Sequence, residues 1–546
     1  MNFIETKLKE ELKQSINRVF NYDIEDNILM IEIPKDESNG DYSTNIAMRL
    51  TKILKQKPTD IANLIIDDLR NSNIIDNVLV AGPGFINIYI DKVFLASSIN
   101  RIISLDKEYG KSNVGNNKSV LIEYVSANPT GKLHIGHARG ACWGDACTKL
   151  LSATGHKVLR EYYINDAGNQ VNNLGLSIYA RYKELFGLPF ELGDDGYHGE
   201  DIINIAKIIK DKYNDAWLEE SDKQKEFFIS EGLKLELEQI KIDLSYFRVE
   251  FDSYYSESTL YKENKVIEVL DKLKESGHTY EQDNALWFKS TDYNDDKDRV
   301  LVKSDKSFTY LTPDIAYHLN KFQRGYDLLV DLLGADHHGY IPRMKAAIQA
   351  LGYKSEQLEV DIIQMVRIIE NGLEVKMSKR TGNAITIREL CDDIGVDAAR
   401  YFILQRALDS HFDFDLGLAR SKSNENPVYY IQYAHARICS ILKQANNYHK
   451  QDEYKLLKEP IEITLLKYLN EYENVVSEAA VNRAPNKLCN YIYKLAGYFH
   501  SFYGNCKIND PSNIELTNER LALLNAIKIV LYNALDLINV EAKEEM

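Results

Sequence analysis

The chain is short of cysteine, of positive charge and of long apolar runs, and each shortage removes a class of protein. Six cysteines occur among 546 residues, at 142, 147, 391, 439, 489 and 506. No two stand in a C-x-x-C pair, so neither a zinc knuckle nor a redox motif is written into them. Reduced, mostly buried thiols are the default. Lys and Arg total 66 against 82 Asp and Glu, a net charge of −16. The overall field therefore cannot hold a polyanion, and a nucleic acid must find a local basic surface. No run of about 18 uncharged apolar residues occurs, so no membrane span is expected. The first residues, Met1 to Glu11, mix acidic and basic side chains, unlike a secretory leader, and a cytoplasmic protein is expected. Internal repeats and low-complexity blocks are also missing.

What is present is an ordinary globular composition, 44 % hydrophobic and 27 % charged. Its length suits three or four domains at about 100–200 residues each. Residues 1–110 read as a small α/β domain. It has a helical pattern over 3–20, a strand over 29–33, a second helix after Tyr42 and an apolar strand pattern over 78–90 broken by Gly82-Pro83-Gly84. The basic, asparagine-rich stretch 111–118 reads as a surface linker. Residues 111–425 read as an α/β domain with a doubly wound parallel sheet of Rossmann type. A β-rich run at 119–125 turns into a helix over about 136–154, and further β-like runs follow at 327–334 and 359–369. The charged, helix-rich stretch around 180–300 reads as an insertion. Residues 426–546 read as an all-α bundle: Pro427 stands where a first-turn proline belongs, and Val428, Ile431, Ile438 and Leu442 share a face.

The sharpest local signal is Leu133-His134-Ile135-Gly136-His137, directly before the 136–154 helix. A helix start offers unpaired N–H groups and partial positive charge, so two imidazoles beside it can bind a triphosphate. Gly136 lets a nucleotide approach the backbone. Downstream lies Lys376-Met377-Ser378-Lys379-Arg380, followed by Thr381-Gly382-Asn383. Two ammonium groups on a loop of this kind can close over a departing pyrophosphate and neutralise charge as it develops. Either motif alone could be a capped helix or a solvated basic loop. By chance the two together, in this order, would occur in about one sequence in tens of thousands.

The two motifs resemble the signatures of the class I aminoacyl-tRNA synthetases. Longer stretches are similar to arginyl-tRNA synthetases: Glu123 to Thr130, Tyr163 to Gln170, and Gly334-Ala335-Asp336-His337-His338-Gly339-Tyr340. Asp397-Ala398-Ala399-Arg400 is similar to the element naming that family's anticodon-binding domain. Gly40-Asp41-Tyr42 and Gly82 to Asn87 resemble its N-terminal domain.

The resemblance implies an enzyme that activates L-arginine with ATP and Mg²⁺ and transfers it to tRNA(Arg). His134, His137, Lys376 and Lys379 are then catalytic, with Gly136, Met377, Ser378, Asp336 and His337 along the ATP. A guanidinium is a permanently charged, planar fork of donors, so its pocket needs carboxylates and favours an aromatic wall. The resemblance assigns Tyr310 and Asp314 to the guanidinium, and Glu123, Asn128 and Glu257 to the amino acid. Tyr429, Tyr433, Arg437 and Met546 are expected to meet the tRNA, where single-stranded bases are read by stacking and edge contacts. His435 lies in the same stretch. No third ligand stands at a suitable spacing beside Asp336, His337 and His338, so the protein alone is expected to hold no metal. The loop around Asn165 to Gln170 is expected to line the cleft without a chemical role, and the chain to be a monomer. The rival readings are a class I synthetase for lysine or cysteine and a tRNA-binding paralogue without catalysis.

Overall fold

The computed structural model describes residues 2–193, 195–375, 385–445, 449 and 451–546. The helix Phe3–Phe20 opens with a capping box. Asn2 Oδ1 accepts from Glu5 N (2.9 Å), while Glu5 Oε2 accepts from Asn2 N (3.3 Å). It packs with helices Ile46–Leu54 and Pro58–Leu69 against an antiparallel sheet of Tyr42–Thr44, Phe85–Ile90 and Ile75–Ala81. The strand expected at 29–33 shrinks to a single bridge, Glu32 to Ser43. Its partner strand is three residues long, and Pro34 removes the next ladder donor. The 111–118 stretch is no free linker. Ser112 N, Gly115 N and Asn117 N donate to the carbonyls of Ala153 (3.0 Å), Thr154 (2.8 Å) and Gly155 (2.9 Å).

Five parallel strands form the central sheet: β1 Ser119–Glu123, β2 Lys157–Ile164, β3 Ser253–Ser256, β4 Leu328–Gly334 and β5 Leu358–Ile363, in spatial order 5-4-1-2-3. The order reverses between β1 and β4, so their carboxyl ends flank a crevice, where open sheets of this kind bind ligands. Two expectations need correction. β3 falls inside the stretch read as an insertion, so the sheet reclaims the chain there. The helices Glu200–Tyr213 and Asp222–Tyr246 pack with Asn169–Glu184 around a small core of their own. The run at 359–369 also divides, because Val366–Glu370 leaves the central sheet for a small one with Leu373–Glu374 and Phe412–Asp415.

Helix α1 (Ile135–Ala153) follows β1. Gly140 and Gly144 let it lie close to the sheet. A Cβ at 144 would stand 2.3 Å from the Tyr124 ring, and one at 140 would stand 2.9 Å from Ile363 Cδ1 and 4.0 Å from Val125 N. The start of α1 is thereby held over the ends of β1 and β5. The C-terminal bundle comprises Pro427–Gln444, Pro460–Val481, Pro485–Asn505 and Ile514–Leu537, three of them opened by a first-turn proline. Arg400, fully buried on the helix Val396–Leu404, joins the parts. Its guanidinium donates to Asp145 Oδ2 (2.5 Å), Phe247 O (2.9 Å) and Ile538 O (3.0 Å).

Candidate active site

His134 is the N-cap of α1, and its Nδ1 accepts from Gly136 N (3.1 Å). His137 Nδ1 accepts from His134 N (3.2 Å), and the two rings stack at 3.9 Å between centroids. Burial lowers both pKa values, that of His137 to about 4, so both rings are neutral at pH 7. With each Nδ1 accepting, the proton sits on Nε2, leaving two outward donors beside the unpaired N–H groups of the helix start. A Cβ at Gly136 would come within 2.9 Å of His134 Cε1, so glycine there permits the ring's position.

Lys376, Met377, Ser378 and Lys379 lie outside the described residues. The chain after them is placed directly against the histidines: Ile135 N donates to Ile385 O (3.1 Å), and Ile387 N to Leu133 O (2.9 Å). Before them, Val375 N donates to Ile368 O (2.8 Å). The structure thus brings the chain that follows residue 384 against the histidine motif.

On the other side of the crevice three carboxylates share one neighbourhood. Asp314 stands in the first turn of helix α2 (Leu311–Gln323) and hydrogen-bonds Tyr340. Glu257 accepts from Tyr261 (3.4 Å) and also hydrogen-bonds Tyr163. Asp166 positions it: Asp166 Oδ2 accepts from Ser256 Oγ (2.5 Å) and Oδ1 from Ser258 N (2.8 Å), which clamps the turn on both sides of Glu257. Burial pushes the Asp314 carboxyl up to about 6, despite the Tyr340 hydroxyl. Burial, then the Asp314 charge, pushes Glu257 up to about 7. The charges of Glu257, Asp314 and Glu123, together with burial, raise the Tyr163 hydroxyl too.

Glu123, expected against the amino acid, already has a cationic partner. Its Oε2 accepts from Lys321 Nζ, and its Oε1 from Ser126 Oγ (2.9 Å). Lys321, fully buried, also donates to Asp331 Oδ1 (2.8 Å), whose Oδ2 meets His318 Nε2 (2.7 Å). Burial opposes ionisation of Asp331, yet Lys321 and His318 hold it below the usual carboxylate range. Alongside, Glu161 takes a forked pair of bonds from Arg324 (2.6 and 2.7 Å). None of these partners was singled out from sequence. The signal was there: Asp314, His318 and Lys321, spaced four and three apart, form one polar stripe on a helix otherwise rich in buried apolar residues.

The turn after β1 is strained. Ser126 N donates to Tyr124 O (3.0 Å), and Val125 has φ 68°, a γ-turn of the rarer hand. A β-branched residue there costs of order 1–3 kcal/mol. The turn aims Ser126 Oγ at Glu123 and lets it accept from Tyr163 N (3.1 Å).

Tyr310 does not share the environment of Asp314. The helix begins at Leu311, not Pro313, and Tyr310, its N-cap, is 93 % exposed. Asn128 is exposed and donates to Gln170 Oε1 (2.6 Å). Asp336 and His337 occupy a short 3-10 turn, Ala335–Tyr340, at the end of β4, with His337 near enough for its charge to act on Asp314. In the bundle, Tyr429 and Tyr433 stack in parallel (6.3 Å, 8°), and Arg437 bonds the Tyr503 hydroxyl. Tyr433, Arg437, Lys443, Lys528 and Met546 border a cavity of about 520 Å³. His435 instead is buried, its Nδ1 on Lys543 O (2.8 Å), and ties down the end of the chain.

Comparison with known proteins matches three successive stretches. Residues 6–90 match the model of the arginyl tRNA synthetase N terminal domain, 98–411 that of the tRNA synthetases class I (R) catalytic domain, and 431–546 the DALR anticodon binding domain. Asp397 to Arg400 therefore fall within the catalytic match. The arginine--tRNA ligase of Listeria monocytogenes serotype 4b (strain F2365) is 50 % identical over 99 % of this chain and 98 % of its own length. That of Geobacillus kaustophilus is 50 % identical over 100 % and 99 %. The arginyl-tRNA synthetase structure from Thermus thermophilus shares the fold, with a TM-score of 0.74 at 20 % identity over 99 % of this chain and 100 % of its own. With its two motifs, its carboxylate pocket and its three matched domains, the chain belongs to the arginyl-tRNA synthetases.

Proposed function

We propose a division of labour for the reaction of this family, the ATP-dependent joining of L-arginine to tRNA(Arg). The observation that carries it is a pair of half-buried carboxylates, Asp314 and Glu257, that have no Lys or Arg ion pair among the described residues: burial raises both, and the Asp314 charge raises Glu257 further. A guanidinium supplies the missing charge and forked donors, and Tyr163, Tyr261 and Tyr340 wall the site. The arginine carboxylate then faces the crevice between β1 and β4. There one of its oxygens attacks the α-phosphorus of ATP, forming arginyl-adenylate as pyrophosphate leaves. A terminal ribose hydroxyl of the tRNA next attacks the acyl carbon and releases AMP.

Neither step needs a protein nucleophile; positioning and charge stabilisation suffice. His134 and His137 donate through Nε2 to phosphate oxygens, and Lys376 and Lys379 meet the leaving pyrophosphate. Gly136, Met377, Ser378, Asp336 and His337 line the nucleotide, and Asn128 borders the amino acid. Mg²⁺ would neutralise phosphate charge and arrive with the nucleotide. Among the described residues no group of three His, Cys, Asp or Glu side chains is arranged to hold a metal. Tyr429, Tyr433, Arg437 and Met546 meet the anticodon loop. The enzyme works as a monomer in the cytoplasm; among the described residues no helix is long and apolar enough to cross a membrane.

The test is esterification of purified tRNA by each standard amino acid, with ATP and Mg²⁺. Arginine alone should be charged; preferential charging of lysine, or none at all, overturns the reading. Lys379→Ala should lower pyrophosphate exchange with tRNA present by about 10²-fold or more, leaving tRNA affinity nearly unchanged.

A further inference from the structure

Arg139 follows His137 by two residues on α1 and is fully buried. Its three hydrogen bonds all go to main-chain carbonyls, none to a carboxylate. Nη1 donates to Gln364 O (2.7 Å), and Nη2 to Ala407 O (2.7 Å) and Ser410 O (2.9 Å). Among the described residues, Nε is buried without a partner. A buried cation so held is costly unless its geometry serves something, since desolvation is not repaid by an opposite charge. Burial lowers its pKa to about 10, against the weak pull of Asp409.

The three carbonyls belong to two chain segments with one feature in common. Gln364 lies between β5 and the strand Val366–Glu370, which runs on through Leu373–Glu374 to Val375, the residue before Lys376 in the sequence. Ala407 and Ser410 precede the strand Phe412–Asp415, the parallel partner of Val366–Glu370. Gln364 N also donates to Leu408 O (3.1 Å), which joins the two segments above the guanidinium. Arg139 thus grips the base of the small sheet whose strands end at Val375, from the same helix whose first turn carries His134 and His137.

We infer that Arg139 is a positioning residue that locks the small sheet of Val366–Glu370, Leu373–Glu374 and Phe412–Asp415 to the histidine helix, so that the chain up to Val375 keeps its place relative to His134 and His137. It touches no reacting atom. The inference rests on the nucleotide assignment made under Proposed function. Its predicted signature is a loss in the activation step that spares arginine recognition, because the Asp314 pocket lies on other elements.

The experiment measures pyrophosphate exchange with saturating tRNA, the KM values for ATP and arginine, and hydrogen exchange of full-length Arg139→Met and Arg139→Lys. In Arg139→Met, kcat for exchange should fall by about 10²-fold, the cost of a misplacement near 1 Å. The KM for arginine should stay within about twofold, and amide exchange should quicken in 366–375 and 412–415 but not in β1 or β4. Arg139→Lys keeps the charge but reaches one segment rather than both, so it should recover only part of kcat. Near-normal exchange kinetics in Arg139→Met overturns the inference, as does a parallel rise of both KM values or full recovery by lysine. If Arg139→Met fails to fold, Arg139→Lys alone decides, by kcat and by exchange in 366–375. Wild-type enzyme that does not charge tRNA with arginine would instead refute the functional reading, independently of either variant.

Discussion

Asp331, Glu161 and Asp145 are buried carboxylates, each paired with a cationic side chain, whereas Asp314 and Glu257, at the crevice, lie near each other. The first set is balanced: Lys321 and His318 on Asp331, Arg324 on Glu161, Arg400 on Asp145. Burial opposes ionisation of Asp331 and Glu161, yet their partners keep both below the usual range. In the second set burial wins, helped by the Asp314 charge on Glu257 and by the Glu123 charge on Asp314. Charge that is balanced from within holds a fold together; charge left unbalanced in a cleft awaits a ligand. The sign follows from linkage. Between an unfolded carboxyl pKa near 4 and values of about 6 and 7, the folded enzyme binds more protons. These two groups therefore remove stability as pH rises through that window, until a bound cation reverses the effect.

The largest effects should separate the two sets. Asp145→Ala leaves Arg400 buried without its counter-charge at the meeting point of three chain regions. It should destabilise the enzyme by about 3–5 kcal/mol in urea unfolding. Asp314→Asn should lower kcat/KM for arginine by about 10²-fold, the loss of one buried charge-assisted partner, while Tm stays level or rises because repulsion with Glu257 is relieved. A Tm drop in Asp314→Asn matching that of Asp145→Ala would erase the distinction, since Asp314 would then be a structural charge as well.

Much of this was legible in the sequence. The helix Phe3–Phe20, β4 and α1 fall within a residue of the pattern that announced them, because hydrophobic periodicity and capping are local. The histidine motif and the carboxylates Glu123, Asp314 and Glu257 stood out in the sequence as candidates. What escaped was pairing across long separations. Nothing near Glu123 says that Lys321, 198 positions away, will take one of its oxygens, or that Arg139 will reach carbonyls at 364, 407 and 410. β3 was absorbed into the insertion because four residues at a sheet edge carry almost no period. Tyr310 was assigned to the guanidinium with Asp314 by resemblance, whereas it stands exposed as the N-cap of the helix whose first turn holds Asp314.

The smallest effect is a pH dependence, and it tests whether the unbalanced pair acts as a unit. If arginine binds only when Asp314 and Glu257 are both ionised, values of about 6 and 7 make the competent fraction small at pH 6 and near unity at pH 8. KM for arginine should then fall about tenfold between pH 6 and pH 8, with kcat at saturating arginine changing far less. His137 does not blur this window, because burial holds it at about 4, and burial moves His134 in the same direction. In Glu257→Gln only Asp314 is left to titrate, so the midpoint should move down to about 6 and the curve flatten above pH 7. Should KM stay flat from pH 6 to 8 while kcat carries the change, the titrating group sits at the phosphates rather than at the guanidinium. Asp314 and Glu257 would then already be charge-compensated in the empty enzyme, and no electrostatic difference would remain between the crevice and the paired clusters.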